Sequence, residues 1–118
     1  MLKICKQFEF DAAHKLPDHQ GKCQNLHGHH YLLQIEVKGS RIDNGPSVGM
    51  IMDFGDLKKI VNDRIIEQLD HTYLNDLFIN PTAENMVDWI CCELGQWLPG
   101  LSRVRLYETP TSYCEWSK

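Results

Sequence analysis

Two segments of this chain alternate between apolar and polar side chains, and each carries histidine at one end. In the second, His27 and His29 open a run in which Tyr31, Leu33, Ile35 and Val37 share their parity. His30, Gln34, Glu36 and Lys38 take the other parity. Residues two apart point to one face of a β-strand, so this pattern predicts a strand over about 27–39 with both histidines on its apolar side. The first segment, about 3–14, follows the same logic. Ile4, Phe8, Phe10 and Ala12 share the parity of His14, with Lys6 as an exception, and Gln7, Glu9 and Asp11 lie opposite. Paired as an antiparallel hairpin, the two strands gather His14, His27 and His29 at one end of one apolar face. Three neutral imidazoles with a vacant fourth position are what a catalytic zinc requires, and imidazole donors in a tetrahedral site favour that metal. A lone histidine on an apolar face is usually a core residue with a hydrogen-bond partner; three together call for another explanation. His19, in a loop, and His30, pointing away from His29, are not expected to be ligands.

The rest of the chain punctuates itself clearly. A loop with Pro17, His19, Gly21 and Cys23 joins the two strands, and Asp43-Asn44-Gly45 signals a turn. Met50-Ile51-Met52 predicts a brief extension of the sheet. Asp53 reads as an N-cap, with Asp56 supplying a carboxylate in the first turn. Leu57, Ile60, Val61, Ile65 and Leu69 then recur at helical spacing, predicting a helix that ends near Leu69 or Asp70. A second helix starts at Thr82, after Pro81, and carries Met86, Val87, Ile90, Cys91, Leu94, Trp97 and Leu98 on one stripe, stopped by Pro99-Gly100. Strands over Val104–Glu108 and about Ser112–Trp116 close the order ββααββ. The expected fold is α+β: an antiparallel sheet with two helices on one face, in one domain spanning residues 1–118.

Bulk properties narrow the function. The chain has 118 residues, 42% hydrophobic and 24% charged, as expected for a globular protein with a modest core. A net charge of -4 argues against general nucleic-acid affinity, which needs a basic stripe. No apolar run reaches membrane-spanning length, and the N-terminus enters strand-like alternation without the apolar core of a secretion signal. Five cysteines, an odd count with no Cys-x-x-Cys pair, speak against a disulfide framework and a cysteine-rich zinc knuckle. A reducing cytoplasm is the simplest setting. Cys91 fits the apolar helical stripe as core filler, and Cys5, Cys92 and Cys114 take a similarly structural reading.

Three further features carry chemistry. Cys23 lies four residues before His27; it could be a fourth zinc ligand that closes the site, or a thiol made acidic by the nearby metal so that it acts as a base. Asp70-His71 follows the first helix. Adjacent side chains do not face each other on a helix, so a working carboxylate–imidazole pair requires the chain to have left helical geometry there. The alternative is a helix C-terminus with a histidine favoured by the dipole. Glu108 shares parity with Val104 and Leu106, which puts a carboxylate at the end of an apolar strand face. Such a group needs partners: a ligand edge with adjacent N–H donors, an internal arginine, or backbone N–H groups.

Taken in order, several stretches resemble the family of 6-pyruvoyltetrahydropterin and 6-carboxytetrahydropterin synthases, over nearly the whole chain. They are Phe8-Glu9-Phe10-Asp11-Ala12-Ala13-His14, Cys23-Gln24-Asn25-Leu26-His27-Gly28-His29, Met50-Ile51-Met52-Asp53-Phe54, Leu69-Asp70-His71-Thr72-Tyr73-Leu74-Asn75, Asn80-Pro81-Thr82-Ala83-Glu84-Asn85 and Glu108-Thr109. The resemblance implies zinc ligands at His14, His27 and His29, a cysteine base at Cys23, an aspartate–histidine pair at Asp70 and His71, and a pterin anchor at Glu108. It places Thr82 in the segment that completes the pterin pocket of a neighbouring subunit, and so implies a homo-oligomer, commonly a hexamer of two trimers whose sheets join into barrels (the T-fold, or tunnelling fold). The short Cys23-to-His27 spacing resembles the carboxy-forming branch. That branch acts on 7,8-dihydroneopterin triphosphate, gives 6-carboxy-5,6,7,8-tetrahydropterin, acetaldehyde and triphosphate, and serves queuosine biosynthesis. The rivals are a 6-pyruvoyltetrahydropterin synthase, a non-catalytic zinc-binding module and a cupin-like metalloenzyme; the last needs many more strands. Lys15 and Lys22 are candidates for holding the triphosphate. The Asp43–Gly49 loop is slightly long for the family, which puts only rim contacts in question.

Overall fold

The computed structural model describes residues 1–16, 20–21 and 25–118. Cys23, His19 and Lys22 lie outside the described residues. Two long strands, β1 (Leu2–His14) and β2 (His27–Gly39), form the antiparallel hairpin that the alternation predicts. Their register pairs Leu2 with Gly39 at one end and His14 with His27 at the other, and sets Ala12 opposite His29. Strands β4 (Leu101–Thr109) and β5 (Ser112–Ser117) extend the sheet beyond β2, each antiparallel to its neighbour.

A fifth strand corrects the antiparallel expectation. The two-residue β3 (Thr72–Tyr73) pairs parallel with β1 at Ala12 and Ala13, so the sheet is mixed, in the order β3-β1-β2-β4-β5. A strand this short has no periodicity to read. The Met50–Met52 stretch adds no strand. Gly45 and Gly49, at φ 88° and 85°, turn the chain sharply, and the Ile42 N–H bond to the Met50 carbonyl, 2.8 Å, closes a loop instead. Ile51 and Met52 pack against the core from that loop.

Asp53 caps α1 (Phe54–Val61) by accepting from the Gly55 N–H at 2.6 Å. The helix continues through a π turn, Asn62–Ile66, into α2 (Glu67–Leu69). Leu57, Val61, Ile65 and Leu69 recur every four residues, a spacing that drifts about 40° per step around an ideal helix. The wider π turn takes up that drift, and all four side chains are fully buried. Thr82 caps α3 (Ala83–Gly95), which turns Met86, Val87, Ile90 and Leu94 onto the sheet. The helix ends before Pro99-Gly100, so Trp97 leaves the expected stripe; it is exposed, with the Arg64 guanidinium stacked 3.9 Å from its ring.

Both helical segments cover the face carrying Phe8, Phe10, Tyr31, Leu33, Ile35, Val104 and Leu106, all buried. The opposite face, with Cys5, Gln7, Glu9, Asp11 and His30, is open to solvent. Cys5 and Cys92 are exposed rather than core residues, while Cys91 and Cys114 are partly buried. No helix among the described residues is long and apolar enough to cross a membrane.

Candidate metal centre and active site

The hairpin register brings His14, His27 and His29 together at the end of the covered face, with ligand nitrogens within 4.8 Å of one another. Their rings pack edge-on, with centroids 4.5–4.9 Å apart. His14 is fully buried. Burial, with His27 and His29 beside it, holds its pKa down near 4, and burial likewise lowers His29. Both are therefore neutral imidazoles near pH 7, the form that binds a metal.

The hydrogen bonds around the rings choose which nitrogens face inward. His27 Nδ1 lies 2.7 Å from the Asn25 carbonyl, an acceptor only, so Nδ1 carries the proton and Nε2 presents a lone pair. His14 Nδ1 lies 3.2 Å from the Tyr31 hydroxyl, which can serve either tautomer. The two Nε2 atoms face each other at 2.9 Å. His29 Nε2 is buried without a hydrogen-bond partner; Glu108 Oε1 is 3.2 Å away but misaligned for one. A buried ring nitrogen left over beside two convergent ones fits a cation bound by all three.

Glu108 arrives from β4 at the point where the β4–β5 register shifts between Tyr107 and Thr109. A bulge there re-aims the strand end, and the Glu108 side chain, 24% exposed, stays on the histidine side. Tyr31 is fully buried, stacked on Phe10, and its hydroxyl pKa is pushed up by burial and by the Glu108 charge. From the sequence, Tyr31 reads only as a core residue. Its parity with His27 and His29 was the available signal, because a buried tyrosine hydroxyl needs a partner.

Asp70 and His71 lie where the helix has ended. Asp70 is extended, at φ -66° and ψ 133°. His71 has φ 58°, a region non-glycine residues enter uncommonly. That reversal lets neighbouring side chains meet: His71 Nδ1 is 3.0 Å from Asp70 Oδ2. The β1 backbone holds the corner from both sides. The Asp11 N–H donates to Asp70 Oδ1 at 3.0 Å, and the His71 N–H donates to the Asp11 carbonyl at 2.6 Å. The Asp11 N–H first, and His71 second, keep the Asp70 carboxyl below its ordinary pKa. Asn75 fixes the chain beyond His14, accepting from the Lys15 N–H at 2.9 Å and donating to its carbonyl at 2.7 Å.

A cleft of about 550 Å³ is lined by Asp11, Gly28, His29, His30, His71 and Thr72, so it touches one member of each group. A depression of about 600 Å³ at the far end of the sheet, around Lys3, Glu36, Lys38 and Arg103, holds none of these residues. Thr82 is occupied in capping: its hydroxyl accepts from the Asn85 N–H at 3.2 Å. No hydrogen bond among the described residues joins Thr82 to the histidines or to Glu108. His30 points to the open face, as its parity requires, and bonds Asp11 and Glu9.

Residues 3–118 match the model of the 6-pyruvoyl tetrahydropterin synthase family. The chain belongs to that family. A 6-carboxy-5,6,7,8-tetrahydropterin synthase of Haemophilus influenzae is 38% identical, with the alignment covering 100% of both chains. A dihydroneopterin monophosphate aldolase of Pyrococcus furiosus is also 38% identical, covering 90% of this chain and 89% of its own. Among solved structures, the 6-pyruvoyl tetrahydropterin synthase of Caenorhabditis elegans superimposes with a TM-score of 0.86. It is 24% identical, over 99% of this chain and 95% of the other, and speaks for the fold alone.

Proposed function

We propose that this chain converts 7,8-dihydroneopterin triphosphate and water into 6-carboxy-5,6,7,8-tetrahydropterin, acetaldehyde and triphosphate. The observation that carries the reading is the convergence of the three histidine nitrogens beside Glu108, in a chain aligned end to end with a relative of that name. Three imidazoles without a thiolate among the described donors suit Zn²⁺. When bound by His14, His27 and His29, that ion would supply Lewis acidity toward the hydroxyls of the substrate's side chain.

The remaining roles belong to the chain. Glu108 accepts the amino and ring N–H edge of the pterin, which orients the side chain toward the histidines. Cys23, as thiolate, takes a proton from the substrate's side chain. His71, oriented by Asp70, passes protons as the carbon–carbon bond breaks. Thr82 contributes to the pocket of a neighbouring copy in a homo-oligomer, a hexamer of two trimers. The setting is queuosine (7-deazaguanine) biosynthesis in the cytoplasm.

Product analysis tests the reading. Metal-loaded protein incubated with dihydroneopterin triphosphate should release acetaldehyde and the carboxypterin together. A pyruvoyl product without acetaldehyde would move the chain to the other branch of its family. Aldol cleavage, the reaction type named for the Pyrococcus relative, would release a glycolaldehyde fragment instead. A non-catalytic zinc-binding module predicts no product and loss of zinc in Cys23→Ala; the enzyme reading predicts retained zinc and lost turnover in that variant.

A further inference from the structure

Asp11 takes part in two sets of contacts. Its backbone clamps Asp70 and His71, while its side chain lies on the open face, directly across the ladder from His30. One carboxylate oxygen of Asp11, one of Asp70 and one ring nitrogen of His71 lie within 4.8 Å of one another. Two carboxylates thus approach one imidazole, whose Nδ1–H can serve only one of them well. Like charges this close also repel. Asp11 cannot be carried away by backbone movement, because its N–H and carbonyl are both engaged in holding the corner. What restrains its side chain is His30, with Nδ1 2.7 Å from Asp11 Oδ1 and Nε2 3.3 Å from Glu9 Oε1. The shorter contact, at Nδ1, ties the ring to Asp11 on the open face.

We propose that His30 is a positioning residue for the Asp70–His71 pair: by holding the Asp11 carboxylate on the open face, it leaves Asp70 as the carboxylate that orients His71. The Nδ1–H bond to Asp11 suffices for this, and a neutral ring with its proton on Nδ1 also makes it. Without His30, the Asp11 carboxylate is released to compete with Asp70, and the His71 ring divides between two orientations. The proposal rests on the reading that Asp70 and His71 act as a pair in turnover.

The test compares His30→Gln, Asp11→Asn and the double variant on the metal-loaded oligomer, with Asp70→Asn as the control for that underlying reading. His30→Gln should lower kcat about tenfold, with KM and bound metal unchanged. The double variant should recover to within about threefold of wild type, because no second charged carboxylate remains to compete. A merely structural role for His30 predicts no such recovery. The ring signals of His71 in nitrogen-15 spectra give a readout independent of turnover. They should show one hydrogen-bonded Nδ1 environment in the wild type, a mixture in His30→Gln, and one environment again in the double variant. An unchanged His71 spectrum in His30→Gln, or a double variant no better than His30→Gln, overturns the proposal. If Asp70→Asn turns over at the wild-type rate while the spectra follow the expected pattern, the catalytic reading of the pair fails and the positioning by His30 stands.

Discussion

The three histidines ride on a 13-residue antiparallel ladder, whereas Asp70 and His71 hang from a parallel pairing of two residues. On the ladder, every residue from Leu2 to His14 has a cross-strand partner, and His14 at its end is fully buried. The corner is exposed: the His71 side chain is 79% accessible, and its backbone sits in the left-handed region. One region is thus organised by a long run of repeated cross-strand pairs, the other chiefly by two hydrogen bonds with the Asp11 backbone. The division suits the proposed chemistry, in which ligands must stay fixed and a proton carrier must reach substrate.

The largest effect expected from breaking this contrast lies at the ladder. His27→Ala should reduce metal from about one ion per chain to near none and take turnover to background, as elemental analysis and the product assay would show. If the variant keeps its full metal content, the histidines are not the ligand set. Next is the corner, where Asp70→Asn should keep the metal and lower kcat by about 10²- to 10⁴-fold. Loss of metal in Asp70→Asn would merge the two regions into one site. Smaller again is Tyr31→Phe, which removes the hydroxyl facing His14 Nδ1 and should weaken metal binding about tenfold in chelator competition.

The smallest effect separates the regions by pH. In metal-free protein, His14 stays neutral down to about 4 while the unfolded chain protonates below 6.5. Stability contributed by the burial of His14 is therefore full above 6.5, falls through that window, and levels off below about 4. Asp70 has the opposite charge logic. Its folded pKa lies below 3.8, so its contribution is present above 3.8 and is lost only at lower pH. Urea midpoints measured against pH should show the main loss in the upper window; a loss confined below 3.8 would contradict the burial assigned to His14.

How much of this was legible in the sequence follows the same contrast. Alternation over 13 residues marks a strand and its inward face, so once the two segments are paired as a hairpin the three histidines fall at one end of one face. The helix cap at Asp53 and the helix start after Pro81 are likewise local signals. The parallel strand β3 was not legible, because two residues have no period and their partner lies 60 positions away, as Ala12 lies from Thr72. The clamp from Asp11 shares that cause, since it uses backbone atoms that every residue possesses. The bond between His30 and Asp11 was readable in principle, as both were placed on the same outer face, but parity alone does not say which outer residues meet. The π turn shows the limit within a helix: four-residue spacing marks the buried stripe, but not how the backbone accommodates it.

Zinc K-edge X-ray absorption of the metal-loaded, substrate-free protein tests most directly whether the histidine cluster holds a metal with an open position. The account predicts a first shell of nitrogen and oxygen scatterers only, at about 2.0–2.1 Å. A sulfur scatterer at about 2.3 Å would mean that Cys23 closes the site, and would contradict the open position.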